Sequence, residues 1–349
     1  MEKGTFGGPV QRAAFGGVDP LYVIRMVALG QSGVVTTAQC REAGVTEGQV
    51  RTLCRDRCWL RLNEGVYLVD ADMIEGDPPR PALIRAALFS AGSHAVAVFG
   101  TAAELLGIHG LRKDDAIHIS LPGSHARPRR CTEPGVRMHQ LVLRPDETTT
   151  VDGIAVTTPA RTVADLIVRT DRLTAISLLD SSLNRRILIP EDLDLVKCLI
   201  VGRRGAVRAR PWLAEADERA ESPLETRVRL RAADGGVAPD ELQFRVRSAA
   251  GNIVAIGDLA WLRARARVIG EADGVDAHDT PTAVFRDRKR QNEIIAAGFV
   301  PLRFTWPDTT EPDYVPYMIR SAIAQSAAAQ LGPPRRNSAR PGLTRPAPA

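Results

Sequence analysis

Three carboxylates in the C-terminal third, Asp258, Glu271 and Asp273, carry the strongest chemical signal in the chain. They stand in IGDLAW and RVIGEADGVDAH, two apolar, β-rich segments over 253–261 and 267–273. Glu271 and Asp273 are two residues apart, so a strand points both to one face. Like charges gathered at neighbouring strand ends repel unless a proton or a cation lies among them. A hard divalent ion with oxygen ligands, Mg²⁺ or Mn²⁺, suits a set made of Asp258, Glu271 and Asp273. A solvated strand edge is the other reading of such a Glu-x-Asp pair. His278 in the following loop and the run RDRKRQN at 286–292 add weight to phosphate chemistry. Arg286, Arg288, Lys289 and Arg290 can lie along a phosphodiester backbone, with Gln291 or Asn292 ordering a water.

These residues need elements to position them. A charged helix runs to about residue 297, Gly298 stops it, and FVPLRFTW at 299–306 reads as a further strand. Upstream, Ser222-Pro223-Leu224-Glu225 opens a helix as a capping box. In it Ser222 takes the N3 amide, Pro223 sits at N1, and Glu225 reaches back to the cap.

SPLETRVR at 222–229, GDLAW at 257–261, GEADG with His278 at 270–278, and FRDRKRQNEIIAAGFVPLRFTWPD at 285–308 carry a family likeness. Residues 222–325 resemble the endonuclease-like domain related to very-short-patch repair nucleases, catalogued as DUF559, a branch of the PD-(D/E)XK nuclease-like fold. The resemblance implies the order helix, three strands, helix, strand over 222–328. It implies a metal-dependent DNA endonuclease, and it makes Glu225 an accessory acid beside the metal. The superfamily lysine two positions after the glutamate is Asp273 here, and His278 stands in for it as general acid/base.

The 349 residues, 44% of them hydrophobic, suffice for two or three cores. A net charge of +5 with both signs mixed is compatible with a nucleic-acid partner. The cysteines Cys40, Cys54, Cys58, Cys131 and Cys198 contain no C-x-x-C pair, which argues against a disulfide frame or a zinc knuckle. No apolar run approaches transmembrane length and no signal precedes a cleavage site. A cytoplasmic protein with no membrane partner is therefore expected.

Residues 1–20 read as a Gly-rich disordered leader. In 21–72 an apolar helix over 21–29 precedes VVTTAQCREAGVTEGQVRTLCRDRCWLRLNEGVYLV. Thr36 or Thr37 caps a short helix through residue 43, Gly44 makes the left-handed turn, and Thr46 caps a second helix to about residue 56. Ala38, Val45, Val50 and Leu53 face the first helix, and strands 60–62 and 65–68 form a wing. Gln49, Arg51, Thr52 and Arg55 take the groove-facing side, while Arg57 and Arg61 grip phosphates. A small helical protein-contact module is the alternative. The patterns T-x-A-x-x-x-x-x-G-V-[ST] and R-L-x-x-G-V-Y-L resemble the N-terminal winged helix of AbiEi-type antitoxins from type IV toxin–antitoxin systems.

Residues 80–200 read as an α+β middle domain. Helices are expected at 81–91, 100–106, 158–168, 173–183 and 191–200, and strands at 116–121, 135–139 and 153–156. DDAIHISLP and VDGIAVTTPARTVADL resemble the central part of AbiEi-like proteins. That likeness implies a Ser-His pair near the first helices, where Phe99 and Gly100 stand here. His94, His109, His118, His125 and His139 read as hydrogen-bonded structural residues, with His118 and His139 facing each other. The loop 123–130 and the connector 201–221 are arginine-rich, and 331–349 reads as a disordered Pro/Arg tail.

The expected fold class is multidomain α+β and α/β: a winged helix-turn-helix, a middle domain and a restriction-endonuclease-like domain. Two functions follow. One is a DNA-binding, Mg²⁺-dependent endonuclease of repair, restriction or phage defence. The other is a non-catalytic AbiEi-like antitoxin and transcriptional repressor with DNA and a cognate toxin as partners.

Overall fold

A computed structural model of the chain describes residues 18–112, 114–121, 135–264, 266–274 and 281–331. The leader over 1–17, the loop 123–130, Cys131, His278 and the tail over 332–349 lie outside the described residues. The chain divides into two compact units, 1–107 with 112–165 and 108–111 with 166–349. This division groups the helices near 172–199 with the C-terminal unit, whereas the sequence pattern groups them with 80–165.

In the first unit α1 (Pro20–Leu29) starts on a proline, with the Asp19 carboxylate accepting from the Leu21 amide at 3.0 Å. After β1 (Val34–Thr36), Thr36 caps α2 (Thr37–Glu42) in a capping box with Gln39. Thr46 does the same for α3 (Glu47–Arg55) with Gln49, and Gly44 at φ +87 makes the turn between them. β2 (Leu60–Asn63) and β3 (Val66–Leu68) form the expected hairpin. β1, three residues too short to show a period, completes a sheet in the order β1-β3-β2. Ile24, Val35, Cys40, Val45, Val50 and Trp59 form the core of this part. Ala38, expected inside, is exposed, because the short α2 turns Cys40 inward instead.

The rest of that unit comprises α4 (Arg80–Ala91), β4 (Val96–Ala97), α5 (Phe99–Leu106), β5 (Ile117–Ser120), β6 (Val136–His139), β7 (Thr148–Val151), β8 (Ile154–Thr157) and α6 (Pro159–Ile167). The five strands lie in the order β6-β5-β4-β8-β7 over a core of Ile84, Ala97, Ile119, Ile154 and Val156. β4 has two residues and β7 reads TTTV, so neither shows the apolar alternation by which strands are recognised.

The second unit begins with α7 (Arg172–Asn184), α8 (Asp192–Leu199), α9 (Ala206–Ala209) and α10 (Pro223–Asp234). It continues with β9 (Glu241–Arg247), β10 (Ile253–Arg263), β11 (Ala266–Ala272), α11 (Pro281–Ala296), β12 (Val300–Phe304) and α12 (Tyr314–Leu331). The order helix, three strands, helix, strand expected of this region is the order found. β9, β10 and β11 run antiparallel, and β12 joins parallel to β11 after the α11 crossover. One face of the sheet packs Leu259, Trp261, Val268 and Phe304 against Val228 of α10 and Val315 and Ile319 of α12. The other packs Val246, Ala260 and Ile269 against Ile294 and Phe299. Two glycines let β10 and β11 lie this close to their neighbours. A Cβ on Gly257 would stand 2.4 Å from Ile269 Cγ2, and one on Gly270 2.9 Å from the Trp261 ring. α7 is pinned to α10 through buried Asp180, which accepts from Thr226 Oγ1 and Arg229 at 2.8 Å. Among the described residues no helix is long and apolar enough to cross a membrane.

Candidate functional site

The two glycines flank the residues of most interest, Asp258 one after Gly257 and Glu271 one after Gly270. Both carboxylates open into one cavity of about 470 Å³ in the second unit, lined also by Glu225, Asp273, Asp287, Arg290, Arg303 and Trp306. Asp258 Oδ2 accepts from the Ala272 amide at 2.8 Å, across the antiparallel β10–β11 pair. The Asp273 amide donates to the Phe304 carbonyl at 2.8 Å, which holds it at the end of β11. Glu225 belongs to the first turn of α10. Its amide donates to the Ser222 hydroxyl oxygen at 3.2 Å as expected, but its carboxylate does not return to the cap residue. It accepts instead from the Glu221 amide and from Gln243 Nε2 on β9, each at 2.9 Å. The strand, not the cap alone, decides where this acid points.

The sequence reading supplied the acids and missed their counter-charges. Glu271 on β11 lies in parallel register with Arg303 on β12. Arg303 Nε stands 3.4 Å from Glu271 Oε2, Arg303 Nη1 is 3.6 Å from Asp273, and its Nη2 donates to Asp287. Arg290, expected to grip phosphate, turns inward. It donates to the Ile256 carbonyl at 2.5 Å and lies 2.8 Å from Glu271 Oε1. That contact is an ion pair without hydrogen-bond alignment, so Oε1 is buried and accepts no hydrogen bond. Asp287, Arg303 and Trp306, whose ring lies 5.6 Å from the Arg227 guanidinium, are thus site residues that the sequence reading omitted.

Burial governs the electrostatics. It pushes the Glu225 carboxyl up from 4.5 to about 7, with the Asp258 charge adding to the rise and hydrogen bonds opposing it. Burial also raises Asp258 and Glu271, while Arg290 pulls both back and Arg303 acts further on Glu271. The Arg303 hydrogen bond holds Asp287 below the usual carboxylate range. An ion such as Mg²⁺ or Mn²⁺ would here have to displace or supplement arginine. Guanidinium groups face both Glu271 oxygens, and among the described residues no three His, Cys, Asp or Glu side chains are grouped to hold an ion.

The remaining expected DNA-facing residues fall on two surfaces. Arg51, Thr52 and Arg55 are exposed on α3, with Arg57 just beyond it and Arg61 on β2. Gln49 is exposed too, but its Oε1 is committed to the Thr46 amide at 2.8 Å. Arg55 pairs with Asp56 at 3.2 Å, and Arg61 donates to the Asn63 carbonyl at 3.3 Å. On α11, Arg288, Lys289 and Gln291 are exposed and Lys289 lies 3.9 Å from Glu293. The Arg286 side chain lies outside what is described. In the first unit His118 Nδ1 and His139 Nε2 meet at 2.9 Å, joining β5 to β6, with Phe99 edge-on at 4.8 Å from His139. Facing nitrogens that share one proton account for this pair without a ligand.

Residues 95–215 match the family described as the AbiEi antitoxin C-terminal domain. Two curated relatives, the uncharacterised proteins MT2308 (strain CDC 1551) and Rv2248 (a second strain) of Mycobacterium tuberculosis, are each 32% identical over 208 residues. The match spans 60% of this chain and 73% of each relative, and the chain belongs to the family of these mycobacterial proteins. The crystal structure of the RV2827C protein from Mycobacterium tuberculosis overlaps 57% of this chain and 82% of its own at 14% identity and a TM-score of 0.36, too slight a likeness to define the fold.

The elevated Glu225 predicts a pH signature. Between its ordinary value of 4.5 and about 7 the unfolded chain has released this proton and the folded chain still holds it. Folding stability therefore falls as pH rises through that window, by roughly 2–3 kcal/mol from this group. Denaturant melts at pH 4.5, 6 and 7.5 should show Glu225→Gln flattening the decline; an unchanged slope contradicts the assignment.

Proposed function

We propose that the protein is a DNA-binding repressor of the antitoxin type, acting in a toxin–antitoxin system with a cognate toxin as partner. The observation that carries this is the AbiEi antitoxin C-terminal domain match over residues 95–215. The N-terminal part supports it. The order α1, β1, α2, α3, β2, β3, with β3 paired to both other strands, suits a winged helix in which α3 enters the major groove. On that reading the exposed Arg51, Thr52 and Arg55 meet DNA, Arg57 and Arg61 hold phosphates, and the acid pocket is part of a scaffold. The test is a gel shift on the duplex immediately upstream of this gene. Arg51→Ala with Arg55→Ala should weaken binding by about tenfold or more and lower the salt dependence. Equal binding by wild type and double variant removes α3 as the reading helix.

A second reading is favoured by one observation, the convergence of Glu225, Asp258, Glu271 and Asp273 on one cavity where Glu271 Oε1 accepts no hydrogen bond. On it Asp258 and Glu271 would hold Mg²⁺ or Mn²⁺ for phosphodiester hydrolysis, with His278 acting on the proton and the α11 residues Arg286, Arg288, Lys289 and Gln291 along the backbone. Incubation of plasmid with protein and Mn²⁺ decides it. Cleavage lost in Asp258→Ala and in Glu271→Ala supports hydrolysis, and intact plasmid with wild type speaks for the repressor.

A further inference from the structure

Four arginines, Arg169, Arg203, Arg204 and Arg208, line a groove of about 810 Å³ in the second unit, together with Val168, Gly205 and Val207. Among the described residues that line it, Arg204 and Arg208 stand beside apolar groups and glycine rather than carboxylates. The groove rests on a close approach that only glycine permits. Gly205 has φ +92, and a Cβ there would stand 2.2 Å from the Val168 carbonyl oxygen. The turn is closed by the Ala206 amide donating to the Arg203 carbonyl at 3.1 Å and the Ala209 amide donating to the Gly205 carbonyl at 3.0 Å. Arg208 donates to the Thr170 carbonyl at 3.1 Å and lies over the Trp212 ring at 5.5 Å. Arg203, Arg204 and Arg208 therefore stand on a fixed turn, with Arg208 itself held in place, which lowers the ordering cost of a partner.

What the arginines face is decided by the valine among them. Val207 is 92% exposed on this groove, and Val201, on the stretch leading into it, is 63% exposed. A phosphate backbone rewards charge, and valine methyl groups standing in water gain nothing from it. Arginine beside aliphatic side chains suits a protein interface, where arginine is enriched and carboxylates take paired guanidinium hydrogen bonds. We propose that this groove binds an acidic segment of a partner protein, its carboxylates meeting Arg204 and Arg208 and an aliphatic side chain covering Val207. The proposal goes beyond the repressor reading and is independent of α3.

The test uses the full chain and three fluorescent probes: an amphipathic Glu/Leu peptide, poly-glutamate and a random-sequence DNA duplex. The Glu/Leu peptide should bind more tightly than poly-glutamate. Arg204→Glu with Arg208→Glu should lower its affinity by about tenfold or more, and the exposed Val207→Ser, which leaves the turn intact, by severalfold. Failure of the wild-type protein to bind the Glu/Leu peptide overturns the proposal, as does peptide binding indifferent to both variants. Duplex binding that falls with charge reversal and ignores Val207→Ser would make the groove a nucleic-acid surface instead. Because Arg51 and Arg55 are untouched, a failed gel shift and a failed peptide assay report on different claims.

Discussion

The second unit is organised by a problem of charge. Glu225, Asp258, Glu271, Asp273 and Asp287 line one small cavity, three of them largely buried. At about 4 Å, two like charges in such a site repel by about 4 kcal/mol, so five ionised carboxylates could not share it unaided. The fold answers in two ways. Arg303 reaches Glu271, Asp273 and Asp287 together, and Arg290 closes on Glu271 from α11. Burial then keeps a proton on Glu225 toward neutral pH.

Strand pairing makes that answer possible. The parallel β11–β12 register places Arg303 beside Glu271, and the antiparallel β10–β11 pair brings the Ala272 amide to Asp258. Gly257 and Gly270 let the strands carrying these acids lie against Ile269 and Trp261. The acid cluster is thus built into the sheet, with Asp258 and Glu271 each next to a glycine that close packing requires. Such a cluster can serve as a rigid, cross-linked corner of a scaffold. The same acids would serve hydrolysis only if an ion displaced or supplemented the guanidinium groups.

Much of this was legible in the sequence, and the parts that were not share a cause. Apolar flanks put Asp258 and Glu271 on strands, with Asp273 one residue past the end of β11, and the Ser222-Pro223 start put Glu225 on the first turn of a helix. Thr46 announced its cap, and Thr36, one of two candidates, is the other. Arg303 could not be paired with Glu271, because parallel register is set by packing across 32 positions of chain. In RDRKRQN nothing local says which cation turns inward. Asp287 and Arg290 share one side of α11 at i and i+3, and only the sheet shows that this side faces the acids. Glu225 was read as closing its own cap, yet Gln243 on β9 draws it elsewhere. β1 and β4 are too short to carry a pattern and exist through their partners, β3 for one and β5 and β8 for the other.

The central claim, that arginines rather than a metal compensate these acids, is tested most directly by melting the full chain in chelator and in millimolar Mn²⁺. Ligand binding to the folded state raises the melting temperature, by an amount that grows with the logarithm of ligand concentration over Kd. A cluster closed by Arg290 and Arg303 should melt at the same temperature in both, and Arg303→Ala should lower it in both. A rise of several degrees with Mn²⁺ that disappears in Asp258→Ala or Glu271→Ala would contradict the account.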